Sequence, residues 1–337
     1  MKCAIQLLTI ILLSCTLLSA KRVNDGLTPV GIEVYDQYQK STGFYVFTPD
    51  STAEGDTLGL VVFLHGFGGL NPLNYGAWLR KIIEDGNAVI YPRYQRSILM
   101  SQPKKFASNA AKGIHGGLNL IVEEGLPVDM SNITYVGHSY GGTLSAFMMA
   151  KEDSLGLPKA FGGLLAAPGT NRLKGSRLSN YSEISPAAQL VIVTHDGDHT
   201  VGSEFAELVH TTALNTDRRV WIRQAEQTVD SFSISQGHNE CYGIDMSFDS
   251  GYRNFTTKRA LNIGCIDAVD RNLYWPLSLE LIASAKTQET IGVLRENLTT
   301  FEFGLAPNGM PFEALPVMYG EPSDNASPDK VVEENEN

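Results

Sequence analysis

The hexapeptide GHSYGG, Gly137 to Gly142, constrains this chain more than any other feature. It follows NITYV, Asn132 to Val136, which is rich in β-formers, and precedes TLSAFMMA, Thr143 to Ala150, which suits a buried helix. Strand, turn and helix therefore succeed one another with no intervening loop. Gly137 and Gly141 remove side chains where strand and helix draw close. In this G-x-S-x-G pattern the serine sits on the turn, its Oγ exposed above the sheet and a helix N-terminus beneath it. The free N–H groups of that terminus favour negative charge near Ser139.

The same alternation extends from residue 42 to about 223. Apolar strand-like runs fall at Gly43 to Phe47, Leu58 to Leu64, Ala88 to Tyr91, Ile133 to Val136, Phe161 to Ala166, Leu190 to Thr194 and Val220 to Ile222. Helical spacing lies between most of them, at Tyr75 to Glu84, Phe106 to Glu123, Thr143 to Ala150 and Ser203 to Leu214. Near-continuous apolar strands imply an α/β fold whose central sheet is mostly parallel and flanked by helices on both faces. Residues 225 to 320 are less regular, with a helix expected at Leu277 to Lys286 and turns at Pro307 to Pro311. No repeat and no linker interrupts residues 21–320, so they read as one domain.

The ends read differently. MKCAIQLLTIILLSCTLLSA, residues 1–20, has one lysine and then an apolar run closing on small residues, the pattern of an export signal. Cleavage after Ala20 gives a secreted or periplasmic protein. Cleavage before Cys15, where LLSC resembles a lipobox, gives a lipid-anchored one, and the apolar residues beyond Cys15 favour the first. Residues 321–337 hold six acids, one lysine and no aromatic residue, so they read as a disordered, solvated tail. The formal charge of −11 argues against nucleic acid and anionic membranes as partners. Outside the signal only Cys241 and Cys265 remain, and an even pair in an exported chain is a disulfide candidate contributing roughly 3–4 kcal/mol. Sequons occur at Asn132, Asn180, Asn254, Asn297 and Asn325.

Three further stretches carry chemistry. LVVFL, Leu60 to Leu64, runs into HGFGG, His65 to Gly69, where a strand end meets glycine-rich backbone able to present an N–H to an oxyanion. The N–H groups of Phe67 and Tyr140 are the expected donors, each worth about 3–4 kcal/mol of barrier stabilisation. LVIVT, Leu190 to Thr194, continues as HDGDHTV, and the loop after a late strand is where an acid partner belongs. Asp198, placed just before the next helix, is favoured over Asp196. The cluster His195, Asp196, Asp198 and His199 follows no zinc-site spacing, so no metal is expected. The order serine, acid, histidine then requires a base after the next strand. His238, in SQGHNECYG, meets that requirement, whereas His65, His115, His138, His195, His199 and His210 do not. A Cys241–Cys265 bridge would steady its loop. Phe67, Trp78, Tyr94 and Tyr140 are candidates either for an acyl pocket or for the core.

HGFGG, GHSYGG, HDGDHTV and GHNECYG, in this order, resemble the α/β-hydrolase superfamily. The run VVFLHGFGGLNPLNYGAWLRKIIEDGNAVIYPRYQ, Val61 to Gln95, is similar to exported bacterial esterases and lipases near the dienelactone hydrolases, chlorophyllases and polyester hydrolases. The resemblance implies an α/β-hydrolase fold with Ser139 as nucleophile, His238 as base and Asp198 as its partner. It implies cleavage of carboxylic esters through an acyl-enzyme, on a small-molecule or lipid ester, with no cofactor and no stable protein partner. A peptidase or amidase on the same scaffold, and an inactive binding protein that keeps the fold, are the alternatives. Tyr140, where many polyester hydrolases carry methionine, and the long stretch before His238 depart from the pattern.

Overall fold

The computed structural model describes residues 27, 29–173, 175–295 and 299–320. The export signal with Cys15, the acidic tail, and the sequons at Asn297 and Asn325 lie outside the described residues. Along the chain come β1 (Ile32–Asp36), β2 (Phe44–Pro49), β3 (Gly59–Leu64), α1 (Gly76–Glu84), β4 (Asn87–Pro92), α2 (Phe106–Glu123), β5 (Asn132–His138), α3 (Tyr140–Leu155), β6 (Lys159–Ala166), β7 (Gln189–His195), α4 (Glu204–Thr212) and β8 (Arg219–Gln224). A hairpin, β9 (Gln227–Val229) with β10 (Phe232–Ile234), leads on to α5 (Phe255–Ile263), α6 (Trp275–Thr287), α7 (Gly292–Arg295), β11 (Thr300–Phe301) and β12 (Leu315–Tyr319).

Ten strands form one sheet in the order β1-β2-β4-β3-β5-β6-β7-β8-β12-β11. The six from β4 to β8 are mutually parallel, while β1, β2, β12 and β11 pair antiparallel at the edges. Strand side chains alternate between faces, and the two faces build two cores. Val61, Phe63, Tyr91, Val191 and Val193 pack with Trp78, Ile82, Leu277 and Leu281 of α1 and α6. Leu60, Val62, Ile90, Leu190 and Ile192 pack with Ile114, Leu144, Met148 and Phe205 of α2, α3 and α4. Burying each such side chain contributes about 1.5–3 kcal/mol. That is why every residue of β3, β4 and β7 is apolar or internally bonded.

The expected parallel sheet with helices on both faces is present, and each of the seven expected strands has its counterpart. Within residues 225–320 the expected helix is present as α6, and further elements accompany it. These residues also supply α5 and the strand β12, which extends the sheet through Val317 opposite Ile222 and Tyr319 opposite Val220. The anticipated Cys241–Cys265 disulfide is absent. Cys241 is buried in the core against α6, whereas Cys265 is exposed and directs its Sγ toward Asp267 Oδ2 at 3.9 Å, so both thiols are free.

One buried carboxyl stands out beneath the sheet. Asp270, just before α6, is wholly buried; its Oδ2 accepts from the Asp267 N–H at 3.1 Å, and its Oδ1 has no partner. Burial, aided by the charge of Asp267, pushes its pKa up to about 8. An unfolded carboxyl ionises near 4. Between those values the folded state holds the proton that the unfolded state releases, so stability falls as pH rises and is full only below about pH 4. Asp270→Asn removes that loss. The variant's melting temperature relative to wild type should climb steadily from pH 4 to pH 8, following up to ~1.4 kcal/mol per pH unit. Parallel melting curves at several pH values check this, and a constant offset would count against it.

Candidate active site

The loops at the carboxyl ends of three parallel strands, β3, β5 and β7, meet the loop bearing His238 at Ser139. The serine links β5 to α3 with φ +56° and ψ −122°, a conformation that costs a non-glycine residue energy and is held by its surroundings. Its N–H donates to Ala166 O at 2.9 Å, and its carbonyl accepts from the N–H groups of Thr143 and Gly169, both at 3.2 Å. The flanking glycines are steric necessities. A Cβ on Gly141 would lie 1.8 Å from Leu64 O, and one on Gly137 would lie 2.4 Å from Gly141 O.

His238 comes from the loop after the β9–β10 hairpin. Its Nε2 is 2.8 Å from Ser139 Oγ and its Nδ1 is 2.7 Å from Asp198 Oδ2. Asp198 lies in the turn after β7, and its Oδ1 accepts from the N–H groups of Thr200 at 2.8 Å and Val201 at 3.1 Å. Burial raises the Asp198 carboxyl, but the His238 bond and charge and these two amides outweigh it, so the net shift is downward. The carboxylate therefore stays ionised and fixes Nδ1 of His238 as the protonated nitrogen, which leaves Nε2 to accept. Asp196, the rejected alternative, points outward and pairs with Arg223 at 2.8 Å. His195 is held by Gln224 and Tyr274, and His199 is exposed, so the HDGDH cluster does not converge on a common point.

The loop after β3 faces the serine. Its amides are used selectively: Gly66 N–H donates to Tyr75 Oη at 2.9 Å, Gly68 N–H to Gln95 Oε1 at 2.8 Å and Gly69 N–H to Gly66 O at 2.9 Å. None of these bonds takes the Phe67 N–H. Tyr140 opens α3, and its N–H is among those that helix geometry leaves without an intrahelical acceptor. Two side chains of the α5 N-terminus secure the loop from outside: Asn254 Nδ2 donates to Gly68 O at 2.6 Å, and Thr256 Oγ1 to Phe67 O at 3.2 Å. Phe67 lines a cavity of about 380 Å³ over the serine, with Ile98, Tyr242 and Phe255. Trp78, Tyr94 and Tyr140, the other pocket candidates, are buried core residues.

His138 and Tyr75 form a tie that sequence reasoning had no means to find. His138 Nε2 lies 2.9 Å from His238 O, and a carbonyl can only accept, so that nitrogen carries the proton. Its Nδ1 must then accept from Tyr75 Oη, at 2.9 Å, whose oxygen in turn accepts from Gly66 N–H. One chain of hydrogen bonds thus joins the β3 loop to the His238 loop beneath the serine. Burial, reinforced by the neighbouring His238, pushes His138 down to about 3 and keeps it neutral. His138 stands beside the serine in the G-x-S-x-G motif, but nothing local there points to Tyr75.

No family model and no curated protein matches this sequence. Among solved structures the chain is similar to one of two fungal esterases from Rhizomucor miehei, with TM-score 0.50 and 15% identity over 79% of this chain and 86% of that one. It is also similar to carboxyl esterase 2 of Tuber melanosporum, with TM-score 0.48 and 18% identity over 72% and 87%. A thermostable esterase from Pseudomonas putida gives TM-score 0.34 and 24% identity over 42% and 46%, so the chain spans less than half of that protein. Together with the strand order, the first likeness establishes the α/β-hydrolase fold.

The Tyr75 hydroxyl serves two buried partners. Tyr75→Phe strands Gly66 N–H and His138 Nδ1 and should cost roughly 1–3 kcal/mol of unfolding free energy. A urea titration of the variant against wild type measures it, and an unshifted midpoint would show that the tie carries no stability.

Proposed function

We propose that this protein hydrolyses carboxylic esters of small-molecule or lipid type through an acyl-enzyme. The reading is carried by one observation: the unbroken hydrogen-bond series Ser139 Oγ, His238 and Asp198, at 2.8 and 2.7 Å. That geometry supports proton removal from the serine, and the downward-shifted carboxylate supports the imidazolium that forms. The esterase nature of the Rhizomucor miehei protein of like fold points the same way.

In the first half-reaction Ser139 Oγ attacks the carbonyl carbon while His238 Nε2 takes its proton. The carbonyl oxygen gains the negative charge, and the N–H groups of Phe67 and Tyr140 receive it. Collapse of this intermediate breaks the ester C–O bond, and His238 returns the proton to the departing alcohol. Water then enters, gives one proton to His238 and adds to the acyl carbon. Expulsion of Ser139, reprotonated by His238, releases the acid. Asp198 stays ionised throughout and keeps the ring oriented.

Ser139→Ala should abolish both fluorophosphonate labelling and turnover of p-nitrophenyl esters of graded length, while Asp198→Asn should lower kcat about 10⁴-fold with the fold intact. Labelling and steady-state assays of the three proteins check this. Peptide cleavage without ester cleavage by wild type would move the assignment to an amidase, and full activity in Ser139→Ala would end it.

A further inference from the structure

We propose that Arg259 is a carboxylate-binding residue of the Ser139 cavity, which selects esters carrying a free carboxylate away from the scissile bond. This deepens the ester-hydrolase reading and rests on it. Among the residues lining the cavity, Arg259 is the one arginine, lysine, aspartate or glutamate.

Its placement is fixed by α5. Asn254 caps that helix, its Oδ1 accepting from Thr257 N–H at 2.8 Å, and the same residue and Thr256 bind the carbonyls of Gly68 and Phe67. The helix is thereby clamped to the loop whose amide faces the serine. Residues 255, 256 and 259 share one helical face, and Phe255, Thr256 and Arg259 all line the cavity. The helix that carries Arg259 is therefore held at a set position relative to the nucleophile, and the exposed side chain reaches the cavity from it.

The charge is also uncommitted. Arg80, Arg223 and Arg253 are each paired, with Asp245, Asp196 and Asp249. Arg259 is exposed and forms no ion pair or hydrogen bond with any described residue. Glu240 lines an adjoining cavity of about 140 Å³ that Arg259 also borders, and it forms no ion pair with Arg259. Its Oε1 accepts from Gly237 N–H at 2.6 Å and its Oε2 from Ser235 Oγ at 2.6 Å. A planar fork of donors matches a carboxylate bidentately. In a chain of net charge −11, whose overall field repels anions, one unpaired cation over the serine sets the sign of what enters.

The test compares monomethyl and dimethyl esters of straight-chain dicarboxylic acids of graded length. Binding is measured by calorimetry on Ser139→Ala, and turnover on the active protein. At a favoured length the monoester should bind about tenfold or more tighter than the diester, and adding Arg259→Gln should erase that preference. Lys258→Gln, which removes the same charge one residue away and outside the cavity, should retain it. Equal affinities across the series, or an equal loss in Lys258→Gln, overturn the proposal. A preserved binding preference with no turnover of either ester by wild type would instead sink the hydrolase reading and leave the anion site standing.

Discussion

The approach of α3 to β3 at a single point governs the rest of the site. Gly141 lies so near the carbonyl of Leu64 that only hydrogen fits between them. Leu64 ends β3, and the next residues form the loop bearing Phe67. The contact that forces Ser139 into its strained turn therefore also fixes the distance between the serine and the loop facing it. Any side chain at Gly141 would separate the two halves of the site at once. The hydroxyl and the two amides are properties of one packing contact, not three independent placements.

Around that contact the imidazoles divide by partner. His65, His138 and His195 are all fully buried, and burial pushes them down to about 4, 3 and 4. Each faces carbonyl, amide or hydroxyl groups that a neutral ring satisfies. His238 alone among the four faces a carboxylate. The site thus contains several rings of the same chemistry, and one of the four has a counter-charge beside it. The buried three act as fixed struts, and His138 does so between the two loops that must stay in register.

Much of this was legible in the sequence because it is local. Strand runs such as LVVFL and LVIVT are nearly all apolar, since helices cover both faces of β3 and β7, and the glycines of G-x-S-x-G betray a crossing too tight for side chains. The order serine, acid, histidine then picked His238 from seven histidines. What stayed hidden is contact between distant segments. β12 joins the sheet through long-range pairing with β8 and β11, and its five residues carry no pattern distinguishing a strand from a loop. The hairpin strands β9 and β10 are three residues each, too short for a period to register. Two cysteines in a chain read as exported suggested a bridge, but spacing says nothing of direction, and one thiol turns inward while the other faces solvent. The Tyr75–His138 tie spans 63 positions, and no local pattern encodes it.

The seam between α5 and the loop bearing Phe67 has a consequence for maturation. Asn254 belongs to one of the sequons, yet its side-chain nitrogen is spent on the Gly68 carbonyl while its oxygen caps the helix. A sugar attached there would replace one hydrogen of that amide and lodge its bulk in the joint that holds the loop against the serine. Asn180 is exposed and its bonds from Ser182 use only its Oδ1, so its Nδ2 is open to the same sugar. Production in a glycosylating host thus sets carbohydrate against the geometry around Ser139 at Asn254, where a single oligosaccharide would loosen the anchor of the loop bearing Phe67.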